Sequence, residues 1–286
     1  MALVSVVVPA HDEARVLERC LRPLAGLASS GEAEIVVVAN GCSDDTAQVA
    51  RSFPGVRAIE LAAASKSAAL NAGDDVAETL PRIYLDADIV ITAEAVRALT
   101  GALAGPRPLV AAPRVVFRTA GRPWPVRAFY QAYTRMPYVT EGLVGLGVYA
   151  VNAAGRARFD RFPTLMGDDL FVQRHFQPDE RVVLPDHAFV VETPRTLRSL
   201  VQVRTRTATG NRQLAAAVHD VALADGGTGP DAFARSTGAS LRGLGATLLR
   251  EPALLPAAAV YCGVTAASRW SARHRSVRWE RDETTR

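Results

Sequence analysis

The chain has 286 residues, 49% of them apolar, and its 33 basic and 29 acidic residues leave a formal net charge of +4. This length and composition predict a folded protein with its own core and exclude an intrinsically disordered chain. So small a charge excess gives no indication of nucleic-acid binding. Lys66 is the one lysine of the sequence, which makes its position informative.

The three cysteines, Cys20, Cys42 and Cys262, are widely spaced. Their number and spacing match neither a disulfide framework nor a zinc motif, which predicts a reducing compartment. The N-terminus has no basic segment or cleavage site typical of a signal peptide, and no apolar run reaches the ~20 residues of a membrane span. We therefore expect a cytoplasmic protein, located in the cytosol or at the cytoplasmic face of a membrane.

The first part of the chain alternates apolar, β-branched runs with helical patterns. Strands are predicted over residues 3–9, 35–39, 56–61, 82–85 and 109–116. Helices are predicted after a cap at Asp12, from Ser43 or Asp44, and over residues 65–77 and 93–103. Such alternation is typical of an α/β fold with a parallel sheet, in which ligands bind at the carboxyl ends of the strands.

The alternation stops after Phe117. Residues 118–150 are rich in Arg, Pro, Tyr and Gly and suit a surface that shapes a binding cleft. Beyond them the pattern predicts a helix over 167–176, short strands over 182–184 and 188–191, and a basic helix over 196–213.

Two aspartates follow the predicted strand 82–85. Because alternate side chains leave a strand on the same side, the carboxylates of Asp86 and Asp88 can face one point. Two such carboxylates suit Mg²⁺ or Mn²⁺ held jointly with a diphosphate. Two acids in a loop after a strand are also a common accident, so this D-x-D pattern alone is a weak signal.

Lys66 and the pair Asp168 and Asp169 stand at predicted helix starts. A lysine there can bind phosphate through its charge and its place near the helix N-terminus, although a solvated surface lysine is the ordinary alternative. Adjacent carboxylates repel, so one of them can keep the raised pKa of a general base. The alternative for this pair is helix capping without chemistry.

Seven segments together resemble the inverting, GT-A type glycosyltransferases of family 2. They are, in chain order, VVVPAHDE, VVVANGCSDDT, SKSAALNAG, YLDADIV, GLGVYAVNAAG, MGDDLFVQR and TPRTLRSLVQVRTRTATG. The resemblance implies a Rossmann-like, mostly parallel central sheet flanked by helices, with a helical C-terminal appendage. It also implies metal-dependent transfer of a sugar from a nucleoside-diphosphate sugar to an acceptor hydroxyl with inversion. The glycosyltransferase domain would span residues 1–215, with a donor half over 1–117 and an acceptor half over 118–215, and a helical region would follow over 216–286.

The resemblance assigns roles to particular residues. Pro9, His11 and Glu13 would contact the nucleotide, with His11 where asparagine is usual, and Asn40 stands where the family has the aspartate that contacts uracil. A UDP-sugar is the favoured donor, although the change to an amide leaves the base open. Asp86 would contact ribose or metal, Asp88 the metal, and Asp168 the donor, while Asp169 aligns with the catalytic base.

The closing Q-x-x-R-W motif of the family is degraded here. Arg206 matches its arginine, and Arg206 or the neighbouring Arg204 would hold the donor diphosphate. Val203 and Thr207 replace the glutamine and tryptophan, which disfavours a processive polysaccharide synthase.

Three other functions are alternatives to glycosyl transfer. A haloacid-dehalogenase-like phosphatase would use Asp86 and Asp88 as its D-x-D strand, but it needs a lysine between this strand and Asp168, and none follows Lys66. A nicotinamide-binding fold lacks its G-x-G-x-x-G after the first strand. A non-catalytic nucleotide-sugar-binding module should lack the acids, which are present.

The C-terminal part carries the sixteen-residue uncharged segment 252–267, followed by Arg269, Trp270, Arg273, His274, Arg275, Arg278, Trp279 and Arg281. It is too short and too interrupted by proline for a confident membrane span. It is either a helix packed on the catalytic domain or on a second subunit, or an interfacial helix on an anionic membrane. The second possibility suits a lipid or lipid-linked acceptor. Candidate acceptor contacts are the aromatic residues Trp124, Phe129, Tyr130, Tyr133 and Tyr138.

Overall fold

A computed structural model describes residues 2–136, 139, 146–164, 167–225, 244–245 and 247–274, with only the backbone of 214–225. The chain divides into two compact units. Unit 1 comprises Met1–Val116, Val144–Thr164 and Asp168–Val191, and unit 2 comprises Phe117–Leu143, Leu165–Gly167 and Glu192–Arg286. The predicted boundary at residue 215 falls within a helix, and the predicted domain division stays a prediction.

A seven-stranded sheet organises unit 1. Its strands are β1 (Val4–Ala10), β2 (Ala33–Asn40), β3 (Val56–Leu61), β4 (Arg82–Leu85), β5 (Val110–Arg118), β6 (Val148–Val151) and β7 (Arg181–Glu192), in the order β3-β2-β1-β4-β6-β5-β7. The first four strands in this order run parallel, and β6 pairs antiparallel with both β4 and β5. The continuous burial of β1 is typical of a parallel strand that is covered on both faces.

Helices connect these strands. They are α1 (Ala14–Leu21), α2 (Ala25–Ser29), α3 (Thr46–Arg51), α4 (Lys66–Val76), α5 (Ala93–Ala102), α6 (Trp124–Tyr133), α7 (Ala153–Arg156), α8 (Asp168–Gln173), α9 (Leu197–Asp225) and α10 (Leu255–His274). The predicted start of α4 is confirmed, because the Ser65 side chain accepts a hydrogen bond from the backbone N–H of Ala68.

Three local predictions were wrong. Asp12 does not cap α1, because its backbone is left-handed, with φ of 48°, and its carboxylate accepts hydrogen bonds from Ser43 instead. The next helix begins at Thr46 rather than at Ser43 or Asp44, since the Asp44 carboxylate accepts the N–H groups of Thr46 and Ala14. The strands predicted over 182–184 and 188–191 are one strand, β7. Pro185 does not divide it, because β7 lies at the edge of the sheet, where the missing N–H of a proline need not interrupt strand pairing.

Unit 2 has an aromatic core built from α6, α9 and α10. The rings of Phe129 and Tyr261 stack with centroids 5.4 Å apart, and Phe129, Tyr130 and Tyr133 are buried. Three of the predicted acceptor contacts are therefore core residues. Trp124 is 54% exposed, and Tyr138 lies outside the described residues.

The uncharged C-terminal segment forms the start of α10. Ala257, Ala258, Tyr261 and Val264 pack into the core of unit 2. Within the described residues no helix combines the length and apolar content needed to cross a membrane. Part of the predicted membrane-facing cluster, Arg275, Arg278, Trp279 and Arg281, lies outside the part of the chain that the structure describes.

Candidate active site

Most of the predicted site residues of unit 1 lie at or just beyond the carboxyl ends of β1, β2 and β4, with Lys66 at the start of α4 and Asp168 and Asp169 at the start of α8. Because β1, β2 and β4 are parallel and adjacent, their carboxyl ends share one edge of the sheet. Lys66 lies at this edge as the first residue of α4, whose N-terminus is capped by Ser65.

Lys66 bridges two of the predicted site aspartates. Its Nζ lies 2.6 Å from Asp86 Oδ1 and 2.8 Å from Asp168 Oδ1. Burial disfavours the charged ammonium, but the carboxylates of Asp168 and Asp86 outweigh it and hold the pKa of Lys66 above its ordinary value. We call Lys66, Asp86, Asp88, Asp168 and Asp169 the acid–lysine cluster.

Asp86 is held by the loop that precedes β6. Its backbone N–H donates to the Gly147 carbonyl at 2.7 Å, and Gly147 has a φ of +100°. A Cβ at Gly147 would lie 2.7 Å from Ile89 Cγ1 and 3.3 Å from Asp86 Oδ2, so only glycine fits this approach. This contact gives the glycine of the GLGVYAVNAAG segment a physical role.

The charge around Asp86 changes its acidity. Burial, opposed by Lys66 and reinforced by Asp168 and Asp88, raises the pKa of Asp86 to about 6. Asp88, two residues further along, is half-buried, and its backbone carbonyl accepts a hydrogen bond from Arg19 at 3.2 Å. The negative charge of Asp88 is one of the contributions that raise the pKa of Asp86.

Asp168 and Asp169 have separate partners. The Tyr149 hydroxyl donates to Asp168 Oδ2 at 2.9 Å. Asp169 accepts hydrogen bonds from the backbone N–H groups of Leu170 at 2.8 Å and Leu146 at 3.2 Å. Burial and the charge of Asp168 nevertheless raise the pKa of Asp169, which Lys66 and these two N–H groups oppose. Asp169 is thus a fixed carboxylate with an increased proton affinity, as a general base requires.

Asn40 stands in a different environment from the one predicted. It is 2% exposed, its Nδ2 donates to the Ala10 carbonyl at 2.8 Å, and its Oδ1 accepts from the Ser65 N–H at 2.9 Å. From its position in β2, the amide thus links β1 to the residue that caps α4. This arrangement argues against the predicted contact between Asn40 and the nucleobase.

The remaining predicted nucleotide contacts follow β1. Pro9 is buried inside β1, and the N–H of the buried Glu13 donates to Thr46 Oγ1 at 2.7 Å. His11 Nδ1 lies 2.6 Å from the Asn40 carbonyl oxygen. Counting P-x-x-N-E from Pro9 places Asp12, and not His11, in the asparagine column. Asp12 was not predicted as a site residue because of this one-residue shift. Its backbone is left-handed, a conformation that aspartate and asparagine both tolerate.

A cavity opens at the ends of β2 and β3. It has a volume of about 410 Å³ and is lined by Ala39, Gly41, Cys42, Glu60, Leu61 and Ala62. Gly41 has a φ of +59°, and a Cβ there would lie 2.5 Å from the Ala64 backbone nitrogen. This cavity was not predicted from the sequence, because Glu60, Leu61 and Ala62 belong to no recognisable motif.

The two predicted diphosphate-binding arginines lie on α9 in unit 2. The Arg204 guanidinium stacks over the rings of Tyr133 and Phe129, at 5.0 and 5.6 Å from their centroids. Arg206, two residues on, is half-buried. Contact of either arginine with a diphosphate stays a prediction.

The model of the family described as "Glycosyl transferase family 2" matches residues 5–162, which is more than half of the chain. The chain belongs to glycosyltransferase family 2. The matched range includes β1 to β6, Lys66 and the acidic loop at Asp86 and Asp88, whereas α8 with Asp168 and Asp169 follows it.

Solved glycosyltransferases share the fold of this family 2 chain. The mannosyltransferase PcManGT from Pyrobaculum calidifontis, in complex with GDP-Man and Mn²⁺, matches with a TM-score of 0.66 at 22% identity, over 95% of this chain and 87% of that chain. TarS 1-349 from S. aureus, in complex with UDP-GlcNAc, matches with a TM-score of 0.50 at 18% identity, over 96% and 92%. A comparison with curated protein sequences gave no significant match.

These comparisons confirm the predicted family, the GT-A type α/β fold and the class of enzyme. The chain is a family 2 glycosyltransferase with a seven-stranded mixed sheet and flanking helices. The phosphatase and nicotinamide-binding alternatives are therefore set aside.

Proposed function

We propose that the acid–lysine cluster transfers a sugar from a nucleoside-diphosphate sugar to an acceptor hydroxyl, with inversion and with Mg²⁺ or Mn²⁺. The observation that carries this proposal is the charge of the cluster. Lys66 pairs with Asp86 and Asp168 and its charge acts on Asp169, while the charge of Asp88 contributes to the raised pKa of Asp86. A surplus of carboxylates attracts a divalent cation, and the bound cation can in turn accept phosphate oxygens of the donor as ligands.

Asp86 and Asp88 fit a hard divalent cation. Mg²⁺ usually takes one or two protein carboxylates and fills its other positions with substrate phosphates and water. Both residues follow β4 and are half-buried, and the charge of Asp88 contributes, after burial and Asp168, to the raised pKa of Asp86. When bound, the cation would stabilise negative charge on the leaving diphosphate.

The chain's own residues supply the rest. In the proposed reaction Asp169 accepts the proton of the acceptor hydroxyl, and the hydroxyl oxygen forms a bond to the anomeric carbon. The bond from that carbon to the diphosphate oxygen breaks, and its electron pair leaves with the nucleoside diphosphate. A single in-line displacement of this kind inverts the anomeric configuration. Lys66, at the N-terminus of α4, is placed to exchange a carboxylate partner for the leaving phosphate.

The cavity at the ends of β2 and β3 suits the nucleobase. Gly41 and Cys42, which follow Asn40 in the chain, line it, and the absent side chain of Gly41 lets the Ala64 backbone pack closely there. UDP stays the favoured nucleotide. The two solved neighbours are complexes with GDP-Man and with UDP-GlcNAc, so a fold of this kind serves either base.

A thermal-shift panel tests donor and metal together. We expect one of UDP, GDP, dTDP and CDP to stabilise the full chain in Mn²⁺, by about 2.7 kcal/mol at a hundredfold excess over Kd, and not in EDTA. Asp88→Ala should remove the shift. Asp179→Ala, which removes an exposed acid paired with Arg107, is the matched control and should keep it. An equal shift in EDTA would contradict the metal assignment, and binding without any sugar transfer or donor hydrolysis would favour a binding module.

A lipid or lipid-linked acceptor at the cytoplasmic membrane face is the acceptor that we propose. Arg269, Trp270 and Arg273 are exposed on α10, and aromatic and cationic side chains of this kind bind anionic head groups. Flotation with anionic vesicles at low salt should recover the protein, and Trp270→Ser should reduce the yield. Absence from the floated fraction, together with a concentration-dependent mass, would instead assign the surface to a second copy.

A further inference from the structure

A second cluster of ligand-type side chains lies apart from the acid–lysine cluster, beside the cavity. One ligand atom each from His11, Asp12 and Cys42 lies within 4.8 Å of the other two, and all three residues are half-buried. Among the residues that the structure describes, no other three His, Cys, Asp or Glu side chains bring their ligand atoms this close together. Nitrogen, oxygen and sulfur donors together are a ligand set of Zn²⁺ rather than of Mg²⁺ or Mn²⁺.

The backbone of two paired strands holds these side chains. Ala10 and Ala39 are partners in the ladder between β1 and β2, so the loops that follow them are fixed side by side. The left-handed backbone of Asp12 turns its carboxylate so that Oδ1 accepts from the Ser43 N–H at 2.5 Å, while Oδ2 lies 4.0 Å from His11 Nε2. The Asp12 N–H in turn approaches Cys42 Sγ at 3.4 Å.

The imidazole of His11 has a defined orientation. Its Nδ1 lies 2.6 Å from the Asn40 carbonyl oxygen, which can only accept, so Nδ1 carries the hydrogen. In the neutral ring Nε2 therefore presents a lone pair, and it does so toward the Asp12 carboxylate. A histidine that donates its other N–H to a backbone carbonyl is the usual arrangement in metal sites.

We propose that His11 Nε2, Asp12 Oδ2 and Cys42 Sγ bind a thiophilic divalent cation of the Zn²⁺ class. Zn–ligand bonds of about 2.0–2.3 Å require these atoms, which now lie within 4.8 Å of one another, to move closer on binding. Cys42 loses its thiol proton to solvent on binding, and a water or other ligand takes the fourth position. The cysteine that offers no zinc spacing in the sequence thus becomes a ligand through the pairing of β1 with β2.

The cation would also affect the nucleotide. Cys42 lines the cavity, so a Zn²⁺ ion on its sulfur occupies one wall of the site that we assign to the base. Zn²⁺ should then compete with the nucleotide, unlike Mn²⁺ at Asp88. This consequence rests on the proposed function, whereas the binding of the cation does not.

Titration of the full chain with Co²⁺, a spectroscopic substitute for Zn²⁺, tests the binding. We expect a thiolate-to-cobalt absorption band that Zn²⁺ displaces. Cys42→Ser should abolish the band, His11→Gln should weaken Co²⁺ binding at least tenfold, and Cys262→Ser, which removes an exposed thiol elsewhere, should leave it unchanged. Asp88→Ala should also keep the band, so a failure of the proposed function cannot be mistaken for a failure of this site.

Two results would overturn the proposal. One is the absence of a thiolate band in wild-type protein, and the other is an equal band in a Cys42→Ser variant whose melting temperature matches the wild type. For the competition, Zn²⁺ should suppress the Mn²⁺-dependent nucleotide shift in the wild type and not in Cys42→Ser. Suppression of equal size in both would place the inhibitory Zn²⁺ elsewhere.

Discussion

Two clusters of charged side chains in unit 1 share helix α4 and differ in their ratio of acids to cations. Asp74 lies in α4, and its carboxylate pairs with Arg82 at 2.7 Å and Arg156 at 2.9 Å and accepts from the Tyr84 hydroxyl at 2.9 Å. Lys66, two turns earlier, pairs with Asp86 and Asp168. Tyr84 and Tyr149 are ladder partners on β4 and β6, with rings 5.0 Å apart, and each donates to the aspartate of its own cluster.

The two clusters use similar residues, charged side chains and a tyrosine around α4, but they differ in how far their acids are paired. Around Asp74 one carboxylate meets two guanidinium groups and a hydroxyl, so the acid is saturated with donors. In the acid–lysine cluster the acids outnumber the lysine, and burial, together with neighbouring carboxylates, raises the pKa values of Asp86 and Asp169. A saturated cluster stabilises the fold, whereas an unbalanced one is suited to bind a cation and move a proton.

The largest expected effect follows from Asp169→Asn. Loss of the general base should lower turnover by about 10²–10⁴-fold, because the acceptor hydroxyl keeps its proton, while the melting temperature and nucleotide binding stay close to wild type. Asp75→Asn, which alters a half-exposed acid paired with Arg161, is the control and should keep normal turnover. Normal turnover by Asp169→Asn, measured as nucleoside diphosphate release, would remove Asp169 from the mechanism.

Asp74→Ala tests whether the saturated cluster around Asp74 stabilises the fold. It leaves the buried Arg82 and the half-buried Arg156 without their carboxylate, so the free energy of unfolding in urea should fall by about 3–5 kcal/mol. Asp75→Ala, one residue along the same helix, breaks only an exposed pair with Arg161 and should cost less than about 1 kcal/mol. Equal losses in the two variants would show that saturation of Asp74 does not stabilise the fold.

A smaller effect concerns pH. Since the pKa of Asp86 is raised from 3.8 to about 6, the folded protein favours its neutral form, and without metal its ionisation lowers stability as pH rises from about 4 to 6. A cation needs the ionised form. The affinity for Mn²⁺ with nucleotide should therefore fall below pH 6, by at most about tenfold per pH unit. Thermal shifts at pH 5, 6 and 7 measure this, and a constant shift would contradict a role for Asp86 as ligand.

The elements of the donor-side fold were predictable because they depend on local pattern. The valine-rich run of β1, the capping Ser65 and the acids after β4 are local features. The place of β6 was not predictable, since its antiparallel insertion between β4 and β5 joins segments distant in sequence. That insertion brings Gly147 and Tyr149 to the acids.

The contacts of individual side chains could not be predicted from the sequence either. Lys66, Asp86 and Asp168 were predicted as site residues, but their ion pairs depend on strand order and on the position of α8. Asn40 was predicted as a base contact by alignment alone, and its burial between β1 and Ser65 could not be read from the sequence. The meeting of His11, Asp12 and Cys42 likewise arises from the register of β1 and β2.

The unbalanced acids of the acid–lysine cluster should transfer sugar only with the help of a divalent cation, and this dependence distinguishes them most clearly from the saturated cluster around Asp74. The most direct test is release of nucleoside diphosphate from the matching nucleotide-sugar, compared in Mn²⁺, in excess EDTA, and for Asp88→Ala in Mn²⁺. We predict release in Mn²⁺ by the wild type, and loss of that release both in EDTA and in the variant. Undiminished release in EDTA would contradict the role of the cation.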